Sequence, residues 1–164
     1  MKVGLLSDTH NFLDPKIFYH FEDCHEIWHA GDFGSAAISE KLSGFTTVRG
    51  VYGNIDGPDV RAIHPLTQEF SFEGIKVLMI HIGGYPGHYP KDVKSRIKQS
   101  VPGLFICGHS HILRIMPDTE AGMLTINPGA AGKHGFHKIR TIAKLEFNEG
   151  KITNVKVIEL GKRA

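Results

Sequence analysis

The sequence predicts an α/β chain, with α+β character in its second half, folded as two packed sheets with helices outside. Three observations carry that prediction. Strand-like and helix-like segments alternate over the first fifty residues, the signature of a parallel α/β unit. From residue 113 onward only strand-like runs paired across turns remain. Asp and His residues recur directly after apolar runs, where α/β folds place their chemistry. At 164 residues, one domain covering 1–164 is expected, long enough for a proper core.

Lys2 to Leu6 reads as a first strand, ending in Ser7-Asp8-Thr9-His10. Pro15 to His20 reads as a short helix, with Asp14 as its cap and Pro15 at its first position. Glu26 to His29 is a second strand, closed by Ala30-Gly31-Asp32, and Ser35 caps a helix running to about Leu42. A third strand, Thr46 to Arg49, leads into a tip with glycines on both sides, Gly50-Val51-Tyr52-Gly53-Asn54. Glu69 to Glu73 and Lys76 to Ile80 form a hairpin around Gly74, and His81 stands at its end. A glycine-rich loop, residues 83–90, precedes a polar amphipathic helix from Asp92 to Gln99. Leu104 to Cys107 is a short buried strand, followed by Gly108-His109-Ser110-His111. The last four strands are Leu113–Met116 with Met123–Ile126, and Thr141–Phe147 with Ile152–Ile158.

A formal net charge of +2 is too small to argue for extended nucleic acid or an anionic membrane as partner. No stretch approaches the roughly 20 apolar residues of a membrane span. Cys24 and Cys107 are not spaced as a metal pair, and reading both as reduced favours a cytoplasmic protein. Eleven histidines in a chain this short raise a metal hypothesis.

His109 and His111 frame it. In extended backbone, residues i and i+2 point the same way, so both imidazoles would reach one small volume. With Asp8, His10, Asp32, Asn54 and His81, the strand ends and one loop tip supply two carboxylates, one amide oxygen and four imidazoles. Seven donors exceed one tetrahedral site but suit two ions sharing a carboxylate. A mixed nitrogen and oxygen set without thiolate fits manganese, iron, cobalt, nickel or zinc better than magnesium.

Ser7-Asp8-Thr9-His10, Gly31-Asp32, Gly53-Asn54-Ile55-Asp56, His81 and Gly108-His109-Ser110-His111 together resemble the ordered motifs of the calcineurin-like metallophosphoesterases. Asn127-Pro128-Gly129 and the short length resemble the small bacterial and archaeal phosphodiesterases of that superfamily. The resemblance implies a four-layer α/β/β/α sandwich of two mixed sheets flanked by helices. It implies two divalent ions per chain, manganese first among the candidates. Asp8, His10 and His111 would hold one, Asn54, His81 and His109 the other, and Asp32 would bridge both. A hydroxide between the ions would attack phosphorus of a small phosphodiester. Asn54 and Asp56 are the catalytic candidates beyond plain ligation. Asp56 either holds a ligand histidine from behind or caps its turn.

Many such relatives carry a histidine after the motif asparagine, placed to protonate the leaving oxygen. Ile55 cannot do so, which leans the substrate toward diesters or activated esters. Relatives also often have a serine after the glycine of Asn127-Pro128-Gly129; here Ala130 follows, and Lys133 and His134 either meet a phosphate or belong to a solvated loop. His88 is a substrate-contact candidate from its loop, and Tyr85 and Tyr89 either stack on a substrate or pack on the scaffold. His20, His25 and His64 read as surface or packing residues, and His29 either supports the site or bonds backbone in the core. Two other readings stand beside the dinuclear enzyme. One is a hydrolase using a single ion on Asp8, His10, Asp32 and His111. The other is a non-enzymatic scaffold similar to the retromer subunit that binds partner proteins through this fold, although those relatives lose ligand histidines that this chain keeps. A homo-oligomer through the β-rich half is compatible with either.

Overall fold

The computed structural model describes residues 1–164. In chain order the elements are β1 (Lys2–Leu6), α1 (Lys16–His20), β2 (Glu26–His29), α2 (Ala36–Ser43), β3 (Thr47–Gly50), α3 (Pro58–Arg61), β4 (Thr67–Phe72), β5 (Ile75–Ile80), α4 (Lys91–Ser100), β6 (Leu104–Ile106), β7 (Arg114–Asp118), β8 (Met123–Asn127), β9 (Ile139–Asn148) and β10 (Lys151–Lys162).

The strands form two five-stranded mixed sheets, ordered β10-β9-β1-β2-β3 and β4-β5-β6-β8-β7. In the first, β1, β2 and β3 run parallel, while β9 and β10 lie antiparallel at the other side. In the second, β5, β6 and β8 are parallel, with β4 and β7 antiparallel at the edges. Strand alternation explains the layering. Val3 and Leu5 of β1, Val77 and Met79 of β5, and Leu104 and Ile106 of β6 point inward and meet between the sheets. Their neighbours turn outward. Leu6 and Ile27 pack with Ile17, Ile38, Leu42 and Val60 of α1, α2 and α3. Leu78, Ile80 and Phe105 pack with Val93 and Ile97 of α4, a pair spaced one helical turn apart. The central strands of both sheets are buried on both faces and covered by helices, giving four layers as expected. At the middle of the inner layer, Trp28 meets Phe70 and Phe72 edge-on at 5.1 and 5.2 Å, a geometry contributing about 0.5–1.5 kcal/mol per pair beyond area burial. Cys24 and Cys107 are free, buried, and in different helix-side layers.

Several local expectations need correction. Ser35 occupies the cap position of α2 in extended backbone, but its side chain makes no cap bond; the Asp59 carboxylate accepts the Ala36 N–H at 2.8 Å instead. Helix α1 begins at Lys16 with Pro15 rather than Asp14 in the cap position; Asp14 accepts the Lys16 N–H at 2.9 Å, and its other oxygen takes a 2.7 Å bond from Arg140, tying α1 to β9. The single-turn α3 was not expected, because four residues carry no periodicity. The final hairpin extends beyond the sequence boundaries, because register shifts at Ile152/Asn154 and Glu159/Gly161 let pairing continue where alternation breaks.

Candidate metal centre

β1, β2, β5 and β6 all end toward the same edge of the sandwich, and the segments leaving them carry the polar side chains. There the structure gathers Asp8, His10 and His111 into one group, and Asp32, His81 and His109 into a second; within each, the donor atoms lie within 4.8 Å of one another. Asn54, at the tip after β3, joins the second group, its Oδ1 accepting from His109 Nδ1 at 2.9 Å.

The two carboxylates are wired alike. One oxygen of each is fixed by protein donors. Asp8 Oδ2 accepts from Ser7 Oγ at 2.6 Å and from the His109 N–H at 3.1 Å, and Asp32 Oδ1 accepts the Ile55 N–H at 3.1 Å. The other oxygen of each faces histidine. Asp8 Oδ1 lies 3.2 Å from His111 Nε2 and 3.8 Å from His81 Nε2. Asp32 Oδ2 lies 3.2 Å from His81 Nε2 and 3.5 Å from His10 Nε2, so it borders both groups. Both aspartates are buried.

Backbone acceptors set the imidazole tautomers. His81 Nδ1 donates to the Ala30 carbonyl at 2.6 Å, which leaves Nε2 with its lone pair toward the carboxylates. His111 is set through a second histidine. His137 Nε2 donates to the Gly132 carbonyl at 2.8 Å, so its Nδ1 accepts from His111 Nδ1 at 3.2 Å, and His111 Nε2 keeps its lone pair toward Asp8. Burial pushes the His137 imidazole below its usual range, consistent with that neutral accepting role. Asp8 Oδ1, His10 Nε2 and His81 Nε2 are buried and have no hydrogen-bond partner. Lone pairs facing lone pairs in a buried site are costly unless a cation lies between them. The ion-free electrostatics point the same way. Burial works to raise the Asp8 carboxyl, but His10, His111, His81 and Ser7 outweigh it and hold it well below the usual range. Burial lowers His81, but Asp32 and Asp8 outweigh it and raise the imidazole. The residues present fit divalent ions.

The backbone here is unusual. Asp8, His10, Asp32, His109 and His111 all have φ between 44° and 70°, the left-handed region. His109 and His111 are therefore not in extended backbone, and their imidazoles divide between the two groups. Glycines let the loops close: a Cβ on Gly53 would collide with Asp32 Oδ1, and one on Gly31, at φ 103°, with the His81 ring.

The surrounding residues fall into place individually. Asp56 accepts the N–H groups of Gly53 at 2.8 Å, Phe33 at 3.2 Å and Gly34 at 2.9 Å, tying the Asn54 loop to the Asp32 loop; it bonds no ligand histidine. His29 accepts the Gly31 N–H at 3.1 Å, bonds Thr9 Oγ1 at 3.0 Å and stacks on Phe33, a buried support rather than a member of either group. His64 stacks on the other side of Phe33 and bonds Ser39. The 130–137 segment is only partly solvated: Ala130, Ala131 and Gly132 are buried, and the Gly132 N–H donates to the Asp8 carbonyl at 3.0 Å. His134 packs on His10 at 4.8 Å between ring centroids, whereas Lys133 lies over Phe12. His88 packs against Tyr85 with its ring tilted by 38° and lines a cavity shared with His109. Tyr89 packs on the scaffold through Asp118 and Phe105. Asn127 clamps the histidine loop, donating to the Gly108 carbonyl at 2.8 Å and Ser110 Oγ at 3.0 Å. His137 is the residue that sequence reasoning missed: it lies 26 positions from His111, and no local pattern links them.

An α/β sandwich presenting paired carboxylate–imidazole groups at its strand ends defines a class of protein able to hold divalent ions for hydrolysis. The family model of the calcineurin-like phosphoesterase superfamily domain matches residues 1–150, and the chain belongs to that superfamily. Phosphodiesterase MJ0936 of Methanocaldococcus jannaschii is 27% identical over 146 residues, covering 79% of this chain and 83% of that protein. Among solved structures, a novel archaeal phosphodiesterase superposes with a TM-score of 0.78 at 24% identity, over 98% of this chain and all of that one. Vps29 of Entamoeba histolytica complexed with Zn²⁺ superposes with a TM-score of 0.72 at 17% identity, each chain fully covered. The last two likenesses concern the fold. No helix is long and apolar enough to cross a membrane.

Proposed function

We propose that the protein is a dinuclear metal-dependent phosphodiesterase. The observation that carries the reading is the pair of aspartate oxygens, Asp8 Oδ1 and Asp32 Oδ2, each aimed with no fixed donor into a set of histidine Nε2 atoms. Asp8, His10 and His111 would hold one ion, and His81, His109 and Asn54 the other. Asp32 would serve both, a role supported by its Oδ2 lying between His10 and His81. Divalent ions bound there would lower the pKa of water and neutralise charge building on the phosphoryl oxygens. Manganese is the proposed ion, with nickel, zinc, iron and cobalt compatible with the same donors.

In the reaction, a water oxygen bonds to phosphorus, one phosphorus–oxygen ester bond breaks, and the departing alkoxide gains a proton. Asn54 and His109, the exposed members of the second group, face the substrate side. Ile55, exposed beside them, offers no proton to the leaving oxygen. Departure without an acid favours diesters with acidic alcohols over alkyl monoesters. The similarity to phosphodiesterase MJ0936 supports the same substrate class.

A second reading, a protein-binding scaffold, is favoured by one observation. Ile112 and Leu113 just before the edge strand β7, and Ile115 and Met116 within it, leave 38–56% of their surface exposed. The deciding experiment uses chelated protein reloaded with manganese, nickel, zinc or magnesium. Hydrolysis of a chromogenic diester is measured beside the matching monoester, and bound metal is counted. Diester turnover with about two ions per chain is the expected result. Two ions and no turnover on any ester would select the scaffold; full turnover with one ion would select the mononuclear hydrolase.

A further inference from the structure

Two cavities border the second ligand group and adjoin at Ile82 and Pro90. The smaller, about 210 Å³, is walled by His109 and Ser110 on one side and Tyr85, His88 and Arg114 on the other. The larger, about 460 Å³, has Asn54 and His81 in its wall and lies between the loop before α3 and the first turns of α4. A phosphodiester held at the centre has two ester arms to place, and the site offers two separate spaces for them.

The larger space is net positive. Arg61 and Arg96 both line it, against the single carboxylate of Asp92. Arg61 is pre-oriented: its Nε donates to the Asp56 carbonyl at 2.7 Å and its guanidinium lies 4.5 Å over the Tyr52 ring, which leaves both Nη groups without a partner. Arg96 forms no ion pair; the nearby Glu69 carboxylate is bonded through one oxygen by Lys76 at 3.2 Å and Ser100 at 2.8 Å. Guanidinium groups with free donors match the planar or tetrahedral oxygens of carboxylates and phosphates. The smaller space differs. It has one guanidinium rather than two, and that group, Arg114, lies 3.8 Å over Tyr85, so the space presents an aromatic surface to a flat arm.

We propose that the preferred diester carries a second anionic group, phosphate or carboxylate, on one arm, and that Arg61 and Arg96 bind it in the larger cavity. The other arm lies against Tyr85 and His88. This rests on the phosphodiesterase reading and narrows its substrate class.

The test uses the full metal-loaded chain and two p-nitrophenyl diesters that differ only in the second arm, methyl or 3-phosphopropyl. The phosphopropyl ester is expected to have at least about tenfold higher kcat/KM, carried by KM, the effect of a charge-assisted contact. Arg96→Ala should bring the ratio of the two esters toward one, and Arg96→Glu should lower it further. Lys98→Glu makes the same charge change on α4 outside this cavity and should leave the ratio unchanged. Wild-type turnover of both esters without preference overturns the subsite alone. A ratio insensitive to Arg96, or equally sensitive to Lys98, also overturns it, the latter because long-range steering would then suffice. Failure to cleave either ester overturns the phosphodiesterase reading and the subsite with it.

Discussion

The two ligand groups share a type of chemistry but not a setting. Asp8, His10 and His111 are enclosed: Ser7 holds the carboxylate, His134 covers His10, and His137 orients His111. The second group is enclosed only at Asp32 and His81, while His109 and Asn54 stand exposed, bonded to each other, between the two cavities. The contrast suggests a division of labour. The first group is pre-organised by its surroundings, and the second is open to solvent, as the proposed hydrolysis requires of the group that meets a substrate.

The strongest break in that contrast is a change both groups feel. Asp32→Asn keeps a side chain compatible with φ 57° and an oxygen for the Ile55 N–H, but removes the charge. Turnover is expected to fall to background, with bound metal dropping below two per chain and the melting temperature of the ion-free protein little changed. Wild-type turnover would remove Asp32 from the shared position.

Next comes the enclosed group alone. His137→Ala should weaken binding of one of the two ions by about tenfold to a hundredfold, the usual cost of losing the partner that orients a ligand. Titration calorimetry would resolve the two sites. His137→Asn, whose amide oxygen stands where Nδ1 stood and can accept the same bond, should restore part of the affinity. Loss of both ions alike would show a general structural role instead.

The exposed group should respond more mildly. Asn54→Ala is expected to lower kcat about tenfold, with metal content falling toward one ion at limiting metal. Unchanged content and rate would place Asn54 outside the site. The smallest effect is expected at Ile55. Ile55→His should raise the monoester-to-diester rate ratio a few-fold by offering a proton to the leaving oxygen. A constant ratio would show that leaving-group protonation does not set the preference.

Much of this molecule is legible in one dimension. Runs such as Lys76 to Ile80 declare strands, and the Asp or His after each run declares which end carries chemistry. The layered packing follows, because Val77 and Leu78 must face opposite ways. What could not be read depends on contacts between distant segments. Ser35 looks like a cap, but Asp59 supplies the bond from another loop. Asp56 could have met a histidine or a turn, and only the fold shows it joining two loops through three N–H groups. His137 had no local signature. Nor does His109-Ser110-His111 announce its left-handed backbone, since extended and left-handed histidines share one sequence.

That backbone limits which residues this corner of the molecule can accept. A left-handed conformation costs most residues about 1–2 kcal/mol, yet Asn, Asp and His visit it several-fold more often than others. The five candidate ligands that adopt it are all Asp or His. The amino acids that donate to a divalent ion are thus also those the chain path tolerates, and the two demands reinforce each other. Exchanges among Asp, Asn, His and Gly would test the chemistry while sparing the loop. A valine or isoleucine at the same position would remove the donor and oppose the turn at once, so its effect on metal binding and on folding could not be told apart.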